Sequence, residues 1–162
     1  MKTKGLGWHG MRFVTLAVFL AVGSFQGYGQ QRRAVGLPGM SATAPLSPGI
    51  VVGNTLYVAG LQGKGPNGKL LAGGFLPQAR GVLENIRRVV RKAGFSMRDV
   101  VSVNVYLTGF NNFAEMNKLY ATYFPDPKPT RTTVQVAALA NGALIEMSAI
   151  AVKTRAGGLN KR

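Results

Sequence analysis

The 162 residues are enough for one domain of ordinary size with a sizeable buried core, and the absence of cysteine excludes disulfides, thiol nucleophiles and cysteine metal ligands. Twenty basic and five acidic residues give a net charge of +15. This charge favours anionic partners, such as nucleic acid, anionic lipid or small acidic substrates, unless it serves solubility alone.

Residues 1–29 have the pattern of a secretory signal peptide. Three basic residues precede an apolar run at residues 13–22, and small residues follow it. We therefore expect export to the periplasm or the medium, with cleavage near Gln30. An uncleaved membrane anchor is the alternative, but the apolar run is short for a bilayer span, and we expect no stable span after processing.

Cleavage changes the chemistry that is available to the chain. It leaves seventeen basic against five acidic residues, a charge of +12, and it removes His9, the only histidine. A mature chain without histidine has neither a Ser-His-Asp triad nor a histidine-ligated zinc site, so we expect no metal site.

The flanks of the folded unit are set by composition. Residues 30–43 lack periodicity and are predicted to be a flexible leader, and residues 154–162 form a basic tail that is predicted to be loose. The folded domain is expected at residues 44–153. It opens with two short strands, at 49–52 and 55–59, joined by a Gly-Asn turn.

A glycine-rich loop follows at residues 60–74. Its segment 63–69 has the spacing of a phosphate-binding P-loop, but Leu70 stands where Ser or Thr should bind magnesium, and no helix opens directly after the lysine. The segment Pro66-Asn67-Gly68 is therefore interpreted as a turn.

Two amphipathic helices and a strand come next. Apolar residues at helical spacing predict helices at 76–93 and 112–124, and alternation predicts a strand at 100–107 with Val101, Val103, Val105 and Leu107 on one side. The first helix carries a basic face without interleaved aromatic residues, which favours a solvated surface over nucleic-acid binding. Asn117 lies in the apolar stripe of the second helix, either at its rim or with a hydrogen-bonding partner.

Residues 129–152 predict the last two strands. Two alternating runs flank Asn141-Gly142, the dipeptide that best favours a β-hairpin. Such a hairpin places Arg131 and Glu146 on one face of the sheet, away from the oilier side, and about 20 Å apart along the ladder. They cannot touch within one hairpin. Either this face meets water, or it forms an interface or a pocket; the apolar residues beside Glu146 favour the second interpretation.

The element order β-β-α-β-α-β-β predicts an α+β sheet with two helices on one face. Nothing in the sequence is left to cover the other face, which is expected to carry Arg131, Thr133 and Glu146. Self-association through that face, with cyclic symmetry, is the simplest solution.

The ending of the chain resembles the signature of the Rid (reactive intermediate deaminase) family, P-x-R-[ST]-x-V-x-V followed by L-x-x-x-A-x-I-E-[IM]-x-A-I-A. The matching residues are Pro129, Arg131, Thr132, Val134, Val136, Leu139, Ala143, Ile145, Glu146, Met147, Ala149, Ile150 and Ala151. Further matches are Gly53-Asn54, Gly60, Gln78-Ala79, 83–86, Ala93-Gly94 and 113–117.

This resemblance implies a chorismate-mutase-like fold, a homotrimer with active sites in clefts between subunits, and no cofactor. It implies hydrolysis of reactive imines and enamines, such as 2-aminoacrylate, to ketoacids and ammonia. Arg131 matches the arginine that binds the substrate carboxylate, and Glu146 the glutamate that orients or deprotonates water. Asn117 and the backbone near Thr133 match positions that shape the cleft.

Two positions depart from the family pattern. Leu46 stands where the deaminating branch has tyrosine, and Ala59 where it has serine, so two hydroxyls are missing from the expected cleft. The alternative function is that of a non-catalytic relative that binds small metabolites or nucleic acid. Export argues against a nucleic-acid partner, because an exported protein seldom meets RNA.

Overall fold

The structure is a computed structural model that describes residues 31–41 and 43–154; the predicted signal segment and most of the basic tail lie outside these ranges. Six strands form one sheet and two helices pack on it. The strands are β1 (Arg32–Val35), β2 (Gly49–Val52), β3 (Thr55–Gln62), β4 (Val100–Leu107), β5 (Thr130–Gln135) and β6 (Ile145–Val152), and the helices are α1 (Phe75–Lys92) and α2 (Phe113–Tyr123).

The strand order is β1-β2-β3-β6-β4-β5, and only the β4–β5 pair is parallel. Because β6 runs antiparallel to both β3 and β4, the strands β3, β4 and β5 share one direction. Two successive crossovers, through α1 and then α2, therefore step the same way across the sheet. Right-handed crossovers in one direction place both helices on the same face, so the predicted α+β architecture is confirmed.

The core lies between the helices and the sheet. The apolar stripe of α1 is fully buried, and both helices begin and end within one residue of their predicted bounds. Gly94 ends α1 in the left-handed region, with φ of 87°, and the amide of Phe95 returns to the carbonyl of Val90. The β2–β3 hairpin is also confirmed, and so is the turn at Pro66-Asn67-Gly68, where the amide of Gly68 bonds to the carbonyl of Gly65.

The first strand lies where the sequence predicts a flexible leader. Arg32–Val35 pair along the whole of β2, and Val35 is 2% exposed. Arg33 also donates a hydrogen bond to the carbonyl of Ala93 at 3.0 Å. The folded unit therefore starts before residue 44, because β2 would otherwise leave its outer backbone groups unpaired at a sheet edge.

A register shift in β4 corrects the predicted inward set. The pairing with β6 skips between Val100 and Ser102, so Val100 is buried and Val101 is 45% exposed. Val103, Val105 and Leu107 face the core as predicted. Alternation alone could not place this irregularity.

The predicted hairpin between the last two strands is wrong. β4 lies between β5 and β6, and β5 pairs with β4 alone. Asn141 and Gly142 do form a tight turn, with φ of 59° and 70°, but within a nine-residue connection. The dipeptide determines the local backbone, whereas the buried β4 provides a better partner for the apolar face of β6 than β5 does.

No helix of the described ranges covers the opposite face of the sheet. Tyr57 is 51% exposed there, and Val134 is 40% exposed. Neither α1 nor α2 is long and apolar enough to cross a membrane, and no other described helix is.

Candidate active site

Glu146 lies on the central strand β6, between Gln62 on β3 and Tyr106 on β4. Its neighbours Ile145 and Met147 are fully buried against the helices, so the half-buried Glu146 points to the uncovered face. A carboxylate in the middle of a sheet is held on a rigid backbone, as a catalytic base requires.

Polar contacts fix the Glu146 carboxylate. Gln62 Nε2 donates to Glu146 Oε2 at 3.0 Å and to the carbonyl of Ala140 at 3.0 Å. The buried Asn85 of α1 in turn donates to the carbonyls of Gln62 and Lys64, at 3.0 and 2.9 Å. The position of Glu146 is thus tied through Gln62 to helix α1.

A β-bulge gives this carboxylate its space. The β3–β6 pairing shifts between Val58 and Leu61, so β3 holds one extra residue beside Glu146. A Cβ on Gly60 would overlap the Oε1 atom of Glu146. Only glycine at position 60 leaves the carboxylate in place.

Glu146 lines a cavity of about 420 Å³. The segment before β2 closes one side, and residues of the loop after β3 close another. Leu46 lines the cavity and is 49% exposed, so an apolar side chain forms this part of the wall. A larger groove of about 570 Å³ lies on the outer side of α1, but it contains none of the predicted site residues.

Arg131 lies on β5, the edge strand of the sheet. Its register partner on the parallel neighbour is the buried Val103, so its side chain extends over the helix-covered face. The guanidinium carbon lies 4.8 Å from the ring centre of Tyr120 and 5.8 Å from that of Phe113, on α2. Arg131 also lies 3.9 Å from the sulfur of Met116. Within the described ranges no carboxylate pairs with it.

Two buried hydroxyls lie on the same side of the sheet as Arg131. Tyr120 and Thr133 have no hydrogen-bond partner for their hydroxyl oxygens among residues 31–41 and 43–154. Burial raises the pKa of Tyr120 to about 12, and the nearby Arg131 opposes part of that rise. Asn117 is half-buried on α2, and no bond from its amide is seen in the described part of the chain, as at a helix rim.

The structure therefore separates the two charged candidates. The prediction that Arg131 and Glu146 share a face is wrong, because Arg131 and Thr133 lie on the helix side and Glu146 on the other. Their partners on β4, Val103 and Tyr106, are three residues apart, which with two strand spacings gives about 14 Å between backbones. The conclusion that one chain cannot bring them together remains.

Sequence reasoning missed Gln62 and the role of Gly60. Strict alternation from Leu56 and Val58 would put Gln62 on the apolar side of the strand, and a polar residue there is the signal that could have pointed to it; the bulge turns it to the face of Glu146, where it is 9% exposed. Gly60 is among the residues that match the Rid family, but the space that it leaves for the Glu146 carboxylate depends on the β-bulge.

Comparison with known proteins defines the class. The profile of the family described as Endoribonuclease L-PSP matches residues 38–153. A RutC family protein of Pyrococcus horikoshii is 44% identical over 110 residues, covering 67% of this chain and 87% of its own. The mouse protein named 2-iminobutanoate/2-iminopropanoate deaminase is 37% identical over 114 residues, covering 70% and 84%.

A solved structure agrees with these sequence matches. RidA from an Antarctic Psychrobacter superimposes with a TM-score of 0.70 at 36% identity, over 75% of this chain and 99% of its own. The chain belongs to the Endoribonuclease L-PSP family, which includes these RutC and RidA proteins.

Proposed function

We propose that this protein is an imine and enamine deaminase that converts 2-aminoacrylate-like intermediates to 2-ketoacids and ammonia, with no cofactor. An enamine first takes the imine form by moving a proton from nitrogen to its terminal carbon. Water then adds to the electrophilic imine carbon while Glu146 accepts one water proton and passes it to the nitrogen, which gives a carbinolamine. The carbonyl forms from the hydroxyl as the carbon–nitrogen bond breaks, the hydroxyl proton moves to the nitrogen, and ammonia leaves. The observation that carries the proposal is the Glu146 carboxylate, held by Gln62 at the wall of a cavity. Relatives that are 37% identical in sequence bear the name 2-iminobutanoate/2-iminopropanoate deaminase.

Arg131 is proposed to bind the substrate carboxylate. Its planar guanidinium can make two parallel charge-assisted hydrogen bonds. The rings of Tyr120 and Phe113 on α2, which we call the aromatic bed, orient the guanidinium without neutralising its charge. Thr133 lies two residues further on the same face of β5, and Asn117 lies on the helix that carries this bed. Both are proposed to shape the carboxylate-binding side of the cleft.

We propose that the working site forms between subunits of a homotrimer. Arg131 and Glu146 lie on opposite faces of one chain, so a cleft that uses both takes one from each of two copies. The uncovered sheet face, with Tyr57 and Val134 exposed, provides an apolar surface for this contact. Light scattering on protein that begins at Gln30 tests the assembly, and a monomer at micromolar concentration counts against it.

Export is also proposed, on the charged start and apolar run of residues 1–29. Cell fractionation followed by N-terminal sequencing tests it. A chain that begins near Gln30 outside the cytoplasm is expected, and full-length protein in the cytoplasm contradicts the proposal.

The activity is tested by generating 2-iminopropanoate in solution and following 2-ketoacid formation with and without the protein. A rate above the spontaneous one that depends on Glu146 is expected. The alternative is a non-catalytic relative that binds nucleic acid through the basic face of α1. It predicts no hydrolysis above the spontaneous rate. It also predicts that the protein binds labelled RNA and that Arg88→Ala and Arg91→Ala weaken this binding. Both arginines are exposed on α1.

A further inference from the structure

The carboxamide of Gln62 makes more hydrogen bonds than a residue at the end of a strand needs for packing. Both hydrogens of Nε2 are used, one on Glu146 Oε2 and one on the carbonyl of Ala140, each at 3.0 Å. Its Oε1 accepts a hydrogen bond from Asn141 at 3.4 Å. Both hydrogens and one oxygen lone pair of this buried amide therefore have partners at the wall of the cavity.

The orientation of this amide is unambiguous on chemical grounds. The reversed orientation would place the Gln62 oxygen against a carbonyl oxygen and a carboxylate oxygen, both of which only accept. The network thus requires that nitrogen, not oxygen, faces Glu146.

The two oxygens of Glu146 have different surroundings as a result. Oε2 accepts from Gln62, whereas Oε1 lies against Gly60 and receives no hydrogen bond from residues 31–41 and 43–154. Gly60 also lines the cavity. One oxygen of the carboxylate is therefore anchored, and the other is available to a water molecule.

We infer that Gln62 is a positioning residue for the reaction. It holds Oε2 and so directs Oε1 of Glu146 at the attacking water. The inference rests on the proposed function and goes beyond it, because it assigns the water to one oxygen and names the group that selects it. The link through Asn85 fixes the backbone of Gln62 to α1, so the amide itself has little freedom.

Substitution of Gln62 tests this inference in the full mature chain. Gln62→Met keeps the length and removes the donor, and Gln62→Glu keeps the shape but presents an oxygen to Oε2. Both are expected to lower kcat about tenfold or more, with KM changed by less than about threefold, because a hydrogen bond to a charged group is lost while carboxylate binding is untouched. Circular dichroism establishes that each variant is folded at the assay temperature.

Gln78→Met is the matched control. Gln78 is buried like Gln62, and its Oε1 accepts a hydrogen bond from the amide of Leu144 at 2.9 Å, but within the described ranges it makes no hydrogen bond with Glu146. This variant is expected to lower the melting temperature and to keep kcat within about twofold, since its lost hydrogen bond lies outside the reacting groups. A loss of kcat equal to that of Gln62→Met would mean that both glutamines act through stability alone.

The double variant Gln62→Met/Glu146→Gln distinguishes a positioning role of Gln62 from a purely structural one, through its kcat compared with that of Glu146→Gln. If Gln62 acts through Glu146, the double variant has the same kcat as Glu146→Gln alone. Multiplying losses would overturn the inference, as would a Gln62→Met enzyme with the parental kcat; both leave the deaminase proposal standing. A parent without imine hydrolysis would overturn both.

Discussion

The two halves of the candidate site are built in different ways. Glu146 lies on a central strand, with its carboxylate tied by Gln62 to helix α1 and fitted against Gly60. Arg131 lies on an edge strand over aromatic rings, and the one acceptor seen for its guanidinium within the described ranges is the weakly accepting sulfur of Met116. A base has to be held still, whereas a group that binds a charged substrate needs unused donors.

The comparison also explains why a single chain is an incomplete site. The register on β4 places the two side chains on opposite faces, so no rotamer change brings them together. The contacts that hold Glu146 and those that hold Arg131 nevertheless come from the chain that carries each residue. The predictions below test whether one half controls turnover and the other binding, in order of decreasing expected effect.

The largest effect is expected for Glu146→Gln. The amide keeps the shape and cannot accept the proton from water, so kcat should fall about 10²- to 10⁴-fold with KM little changed. Steady-state kinetics with 2-iminopropanoate checks this. Loss of binding with full turnover at saturation would reverse the roles assigned to the two halves.

Substitution of Arg131 should act on binding instead. Arg131→Lys keeps the charge and loses the planar fork, so substrate affinity should fall about ten- to a hundredfold while the protein still folds. The measurement is KM for carboxylated imines. Arg98→Lys makes the same change on an exposed residue outside both halves of the site and is the control. Parental hydrolysis by Arg131→Ala would remove Arg131 from the site.

Mixing the two variants sharpens the comparison further. At substrate concentrations below the parental KM, Arg131→Ala and Glu146→Gln subunits should each be weakly active alone, and they should regain activity when they are unfolded and refolded together. A cleft between subunits can then combine an intact arginine from one chain with an intact glutamate from another. Recovery of a substantial fraction of the parental rate is expected. A mixture no more active than its components would mean that each site is built within one chain.

Gly60→Ala should impair the glutamate half alone. The new methyl group overlaps Glu146 Oε1, so the carboxylate has to leave its position, and kcat should fall about tenfold, comparable to loss of a hydrogen bond to the charged group. The φ of Gly60 is outside the left-handed region, so the backbone itself tolerates alanine. Unchanged kcat would show that Glu146 has room to move without cost.

The sequence predicts more of the fold than of the site. The two helices, β4 and the first hairpin follow from periodicity, because burial on one side controls which residues are apolar. The strand that pairs with β6 cannot be predicted in this way. The Asn141-Gly142 dipeptide determines a local turn, whereas the order of strands depends on contacts between distant parts of the chain. Arg131 and Glu146 were found by resemblance, but their faces depended on that order, and Gln62 became visible only in its contacts.

The smallest effect concerns the aromatic bed of Arg131. Tyr120→Phe keeps the ring under the guanidinium and removes a buried hydroxyl that lacks a partner in the described part of the chain, so stability at pH 7 should be unchanged or higher by about 1 kcal/mol. The folded-state pKa of Tyr120, raised to about 12 from 10, means that the folded protein holds this proton longer. The parent should therefore lose stability, relative to the variant, as pH rises from 10 through 12, and not below 10. Urea unfolding at several pH values measures both effects.

Tyr123→Phe is the control of opposite sign, because its hydroxyl donates to Glu84 at 2.7 Å and its removal should destabilise the protein at pH 7. Equal losses of stability at pH 7 in the two variants would show that the Tyr120 hydroxyl has a partner after all, such as a polar group from a second copy of the chain.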